Sequence, residues 1–331
     1  MTRHTLVIWL LVGLVGLPEV VAAGAFSGSD SDLFGLDAIV HPKGYDGTGG
    51  PLVLTVCLDP DAPDDAELPL QLAVAGWNAR LSTTGNVAAG AIVGTSLDFW
   101  SWALHGVGLC LGLDDPVDDL GYAAATPGTN SMLDRGAGAD MVAGSRDDVR
   151  GDDQNRVWFR IVDNDPFVVG GVVDSTTYTL DTAILPEGET FATVPTRAVA
   201  FLDSVAGTEA VMVASTAAGE TKRSLVWDDI ATVRLAEAGI DEIEGNADDY
   251  RVTLAYTGRS DTCDVPVSFA AQAEVVACVT GKGSLSGSHF RINFASLSFD
   301  ESVSWHYGAD GVLMVDGFET GNTDGWSSRV P

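Results

Sequence analysis

Hydrophobic residues change their spacing along this chain, and each change marks an element. Residues 6–17 form an apolar run behind Arg3 and His4, with small residues following at Ala22, Ala23 and Ala25. Residues 52–58 are another apolar run, short enough to be a buried strand. Residues 67–81 take a helical period, with Leu68, Leu72, Ala75, Trp77 and Ala79 as the apolar face. A strand is predicted over 87–93, then a helix over 99–111 with Asp98 as its N-cap. That helix contains Gly106 and Gly108, each costing about 1 kcal/mol against Ala, so something other than propensity put them there. After Pro116 the helical period is lost; short strands are predicted at 157–162, 176–180 and 198–202. Asp228 and Asp229 suit the first turn of a further helix. From Tyr250 onward the pattern is β, with strands over 251–256, 265–269, 274–279, 289–299 and 302–306. His289 and His306 fall in this region and read as ordinary strand residues.

Composition narrows the class. The run at 6–17 is too short and too early for a spanning helix, and reads as a secretory signal peptide cut near Ala23 or Ala25. The expectation is an exported chain, extracellular or periplasmic, without a membrane span. The net charge is −30, with lysine only at 43, 222 and 282, which argues against nucleic acid or an anionic membrane as partner. The acidity fits either a solvated surface or Ca²⁺ ligation by loop carboxylates. Cys57, Cys110, Cys263 and Cys278 are an even set in an oxidising compartment. Three pairings are open. Cys57–Cys110 with Cys263–Cys278 is preferred, because the second pair flanks a predicted hairpin.

One sequence repeats. Gly138, Asp140, Gly144, Asp147 and Asp148 recur as Gly239, Asp241, Gly245, Asp248 and Asp249, in the pattern G-x-D-x-x-x-G-x-x-D-D. Three carboxylates at fixed offsets suit a hard cation, and the copies resemble Asp/Gly-rich calcium loops of secreted bacterial proteins. Calcium is the cofactor this implies; a pair of acidic turns is the alternative. The end of the chain, Asp316-Gly317-Phe318-Glu319-Thr320-Gly321, resembles a terminal motif of exported bacterial proteins.

The stretch with most chemistry in its outline is Leu104-His105-Gly106-Val107-Gly108-Leu109-Cys110-Leu111-Gly112-Leu113-Asp114-Asp115-Pro116. It resembles the metzincin zinc-protease motif H-E-x-x-H-x-x-G-x-x-H, in which two His on one helix face grip Zn²⁺, a Glu is the general base, and a Gly turns the chain toward a third ligand. Here His105 stands at the first ligand position, Gly106 at the base, Leu109 at the second ligand, Gly112 at the turn and Asp115 at the third ligand. Met212, followed by the Asp228–Asp229 helix, resembles the family's Met-turn and last helix; Met132 competes for that role.

The resemblance implies an α+β fold: a metzincin-like twisted mixed sheet, an N-terminal helix, a metal-site-like helix and a C-terminal helix. The expected organisation is a signal peptide at 1–23, a metzincin-like domain at 24–238 with an insertion at about 117–207, a small β-rich extension at 239–307 and a tail at 308–331. The departures imply lost chemistry. Leu109 cannot ligate, and Gly106 cannot deprotonate a metal-bound water, a loss of about 10²–10⁴-fold by itself. His105 and Asp115 remain as a vestigial site with weak or no zinc. The expectation is a pseudoenzyme acting as a binding or structural protein, with the old cleft as the place for a peptide or protein ligand. An active zinc endopeptidase with an altered ligand set is the alternative, and it requires another ligand from the insertion.

Overall fold

A computed structural model of the chain describes residues 23–27, 38–115, 157–160, 178–179, 197–202, 204–214 and 216–308. Nine elements build the frame: β1 (Ile39–His41), β2 (Gly50–Leu58), α1 (Glu67–Ala79), α2 (Phe99–Cys110), α3 (Trp227–Glu237), β3 (Tyr250–Arg259), β4 (Val265–Ala270), β5 (Val276–Ser286) and β6 (His289–Asp300). The class is mixed α+β. One sheet runs β5-β6-β4-β2-β3, and β1 pairs with the start of β6. All these pairings are parallel except β5 with β6.

This sheet corrects the expected organisation. The strands beyond Tyr250 are not a small appended sheet. They flank β2, with Gly50 opposite Tyr250 and Val56 opposite Val265. Parallel strands are covered and so tend to be apolar, and β2 supplies Leu54, Val56 and Leu58 to the core while β6 supplies Ile292, Leu297 and Phe299. The strand expected at 52–58 forms as β2, and its neighbours in the sheet come after α3. Two contacts reconcile that chain order with a closed frame. Arg80, just past α1, pairs bidentately with Glu237, the last residue of α3. The segment after β6 returns to the start of α2, where Trp305–His306 pairs in parallel with Leu97–Asp98.

The α1 helix forms where predicted, but its buried face is Leu70, Ala73, Val74 and Trp77; Ala75 and Ala79 are exposed. That set has the i, i+3, i+4, i+7 spacing of a core-facing stripe. It packs on α2, where the Trp77 indole donates to Leu104 O at 2.8 Å. The α2 helix is buried on nearly every side, and Asp98 caps it as predicted, accepting from Ser101 N at 3.1 Å. Its two glycines are spacers. A Cβ on Gly106 would lie 2.7 Å from Leu297 and 2.8 Å from Val276; one on Gly108 would meet Met212 and, at 2.8 Å, Trp77.

Other local expectations change. The strand predicted at 87–93 reduces to Val87–Ala88, paired with Thr221–Lys222. The strand predicted at 198–202 is a short helix, Arg197–Leu202. Ala23–Ala25 pairs with Val157–Arg160. The disulfides are Cys57–Cys263 and Cys110–Cys278, not the preferred pairs. The physical reason is the strand order: β6 lies between β4 and β5, so Cys263 and Cys278 do not flank a hairpin. Cys57 sits on β2 opposite Pro266 of β4, and α2 lays Cys110 over β5. The bridges close separations of 206 and 168 residues, for which loop-closure entropy gives about 5 kcal/mol each. Among the described residues no helix is long and apolar enough to cross a membrane.

Candidate functional site

The side chains that resembled zinc ligands converge on the turn over residues 209–214, and they hold its backbone. His105 Nδ1 lies 3.0 Å from Val211 O. A carbonyl only accepts, so Nδ1 carries the proton. Burial holds this imidazole down at about 4, and nearby Lys222 adds to the shift, so the ring is neutral at pH 7. Asp115 Oδ2 accepts from Ala214 N at 2.9 Å. Asp229, on the first turn of α3, accepts from Val211 N at 3.0 Å and Met212 N at 3.1 Å, and also from Val226 N at 2.9 Å. Burial nevertheless pushes its carboxyl up to about 6. Asn86 closes the near end of the turn, accepting from Glu209 N and donating to Glu209 O.

At the centre of the turn lies an ammonium group. Lys222 is 1% exposed and donates three hydrogen bonds: to Glu209 Oε2 at 3.1 Å, Ala210 O at 3.0 Å and Val213 O at 2.5 Å. Three donors on three oxygens is the full capacity of an ammonium group. Burial lowers its pKa, while Glu209, Asp229 and Asp115 pull the other way. Arg197 extends the network, contacting Glu209 at 3.1 Å and Glu220 at 2.5 Å. The backbone N–H of Lys222 donates to Ser101 Oγ at 2.7 Å, and Arg223 pairs with the Asp98 cap at 2.7 Å. The α2 helix, the 209–214 turn and α3 are thus joined through one polar core.

The predicted positions behave unequally. His105, Asp115 and Met212 do gather around one turn, and Met212 packs against Gly108 beneath α2. Gly112 ends the helix with φ +103°, Leu113 N closing onto Gly108 O at 3.2 Å. Gly106 faces the sheet, and Leu109 is half-buried against the core. Lys222 and Glu209 were missed. The one signal for them is compositional: a lysine is rare in this chain, and this one stands between Met212 and the Asp228–Asp229 helix.

The second copy of the acidic repeat is a turn whose carboxylates hold their own backbone. Asp248 accepts from Ile240 N at 2.7 Å, Asp249 from Gly245 N at 2.5 Å and Asp241 from Ile243 N at 3.0 Å. Asp140, Asp147, Asp148 and Met132 lie outside the described residues. Among the described residues no three His, Cys, Asp or Glu side chains converge as around a metal ion. Beneath the acidic turn is a buried pair that the strand reading of His289 missed. His41 Nε2 lies 2.8 Å from His289 Nδ1, His41 Nδ1 lies 3.2 Å from the Tyr250 hydroxyl, and His289 Nε2 lies 3.4 Å from Glu242. Burial, with His289 adjacent, lowers the His41 pKa to about 3.

Comparison with known protein families, curated proteins and solved structures finds no match for the chain.

Proposed function

We propose that this is an exported, catalytically inactive metzincin-like protein that acts by binding an extended peptide or protein segment. One observation carries the loss of catalysis: His105 and Asp115 are engaged with the backbone of the 209–214 turn, and a lysine ammonium supplies the positive charge among them. Gly106 supports the same reading, because a Glu there has no room without displacing Leu297 and Val276. A catalytic zinc needs about three protein ligands and an open position; the described residues offer two side chains, both in use.

The binding part rests on β5. One of its edges pairs with β6 along its length. Among the described residues no strand pairs with the other edge. An edge of this kind accepts an extended peptide by strand addition. The Cys110–Cys278 bridge fixes that edge to α2, so it is held in place before a ligand arrives, which lowers the ordering cost of binding.

The test is selection of displayed peptides on the oxidised chain, followed by amide hydrogen exchange. Selected peptides are expected to slow exchange across Val276–Ser286 and to remain uncleaved with zinc present. Chelator-sensitive cleavage, or protection elsewhere only, contradicts the proposal.

A further inference from the structure

The polar core around Lys222 has the composition of an ion-binding site. Its acceptors are one carboxylate and two backbone carbonyls. That all-oxygen set is the kind that holds hard cations, whereas soft or borderline metals favour sulfur and imidazole. The carbonyls belong to residues 210 and 213 of one turn, which curls its C=O groups inward while its outward N–H groups are taken by Asp229 and Asp115. The Ala210 carbonyl also accepts from Val213 N at 3.2 Å, which closes the turn, and the Lys222 ammonium is the positive charge that both carbonyls face.

The occupant sets the valence. Glu209 pairs with both Lys222 and Arg197, and Glu220 pairs with Arg197. Asp229 and Asp115 add negative charge beside the Lys222 ammonium, which carries one positive charge among its three oxygens.

We propose that the 209–214 turn is a monovalent-cation site, with the Lys222 ammonium as its resident, covalently tethered ion. Its ligands are Glu209, the Ala210 carbonyl and the Val213 carbonyl, and its chemistry is that of ammonium or potassium, not zinc. This holds whether or not the peptide-binding proposal is correct, because it needs only the buried amine and its three oxygens.

The native chain tests it first. With lysine at only three positions, ¹⁵N-lysine labelling gives three Nζ signals, and Lys43→Arg and Lys282→Arg identify that of Lys222. A protonated, slowly exchanging Nζ at pH 7 is expected; a neutral amine, or exchange as fast as that of an exposed lysine, overturns the proposal. Lys222→Ala then vacates the site. Its melting temperature in ammonium or potassium chloride should recover at least half of the loss seen in tetramethylammonium chloride at equal ionic strength, and saturably. Lys222→Met, which fills the space without charge, should show the loss and no recovery. Equal behaviour of Lys222→Ala in all three salts, or a Lys222→Met variant as stable as the parent, overturns the proposal. If Lys222→Ala does not fold in tetramethylammonium, folding on dialysis into ammonium chloride is the expected result, and failure there counts against it.

Discussion

Two regions of this molecule carry residue types that bind metals, and they use them in opposite ways. Around α2, His105, Asp115, Asp229 and Lys222 reach across the chain to a turn that none of them belongs to. In the turn at 239–249, Asp241, Asp248 and Asp249 cap N–H groups of that same turn, two to eight residues away. The first region is buried and joins helices; the second is largely exposed and shapes one loop. A carboxylate or imidazole in a suggestive pattern is thus first a hydrogen-bonding group with a backbone to satisfy. Its cost of removal depends on whether that backbone is local and wet or distant and dry.

The sharpest contrast should come from Lys222→Met. It removes one of the two cations that Glu209 faces, leaving Arg197, and takes the donor from two buried carbonyls; breaking a buried ion pair costs about 3–5 kcal/mol, or roughly 10 °C in melting temperature for a domain of this size. Calorimetry checks it; a loss of under about 1 kcal/mol would put the two regions on the same footing.

Gly106→Glu, with Leu109→His to rebuild the zinc motif, comes next. The side chain at 106 must enter the space of Leu297 and Val276, so the variant should lose about 1–3 kcal/mol through overpacking. Denaturant unfolding measures that loss.

The His41 pair gives a pH handle on the frame beneath the acidic turn. The folded-state pKa of His41 is depressed to about 3 from 6.5. Its contribution is therefore present above pH 6.5 and is lost as pH falls toward 3, because the unfolded chain takes up the proton first. Melting temperature should fall between pH 6.5 and 4, and His41→Gln should flatten that fall. Equal slopes in parent and variant would show that His41 does not set this pH dependence.

The smallest effect belongs to the acidic turn. Asp248→Ala removes acceptors from Ile240 N and Asp241 N, a change on the order of 1 kcal/mol. If the turn is structural, calcium does not alter that difference; a calcium-dependent gain in the parent, lost in the variant, would restore the calcium reading for this copy.

How far the sequence reached depends on distance along the chain. The α2 helix was legible because its cap at Asp98 and its apolar run are contiguous. The inward phase of α1 was missed, since Ala75 and Ala79 look apolar yet the partner face on α2 favours Leu70, Ala73, Val74 and Trp77. The sheet was not legible, because Gly50 finds its partner at Tyr250, and no local period records which strands will be neighbours. The disulfide pairing followed that same error. At the candidate site, His105, Asp115 and Met212 were identified as neighbours, but their role was not. Lys222 and Glu209 carry no motif; only the folded turn places an amine against two carbonyls and a carboxylate.

The most direct measurement is zinc stoichiometry of the oxidised chain after dialysis against zinc and removal of excess ion. Well under one zinc per chain is expected, with no change in His105→Ala. One tightly held zinc per chain, abolished by His105→Ala or Asp115→Ala, would contradict it.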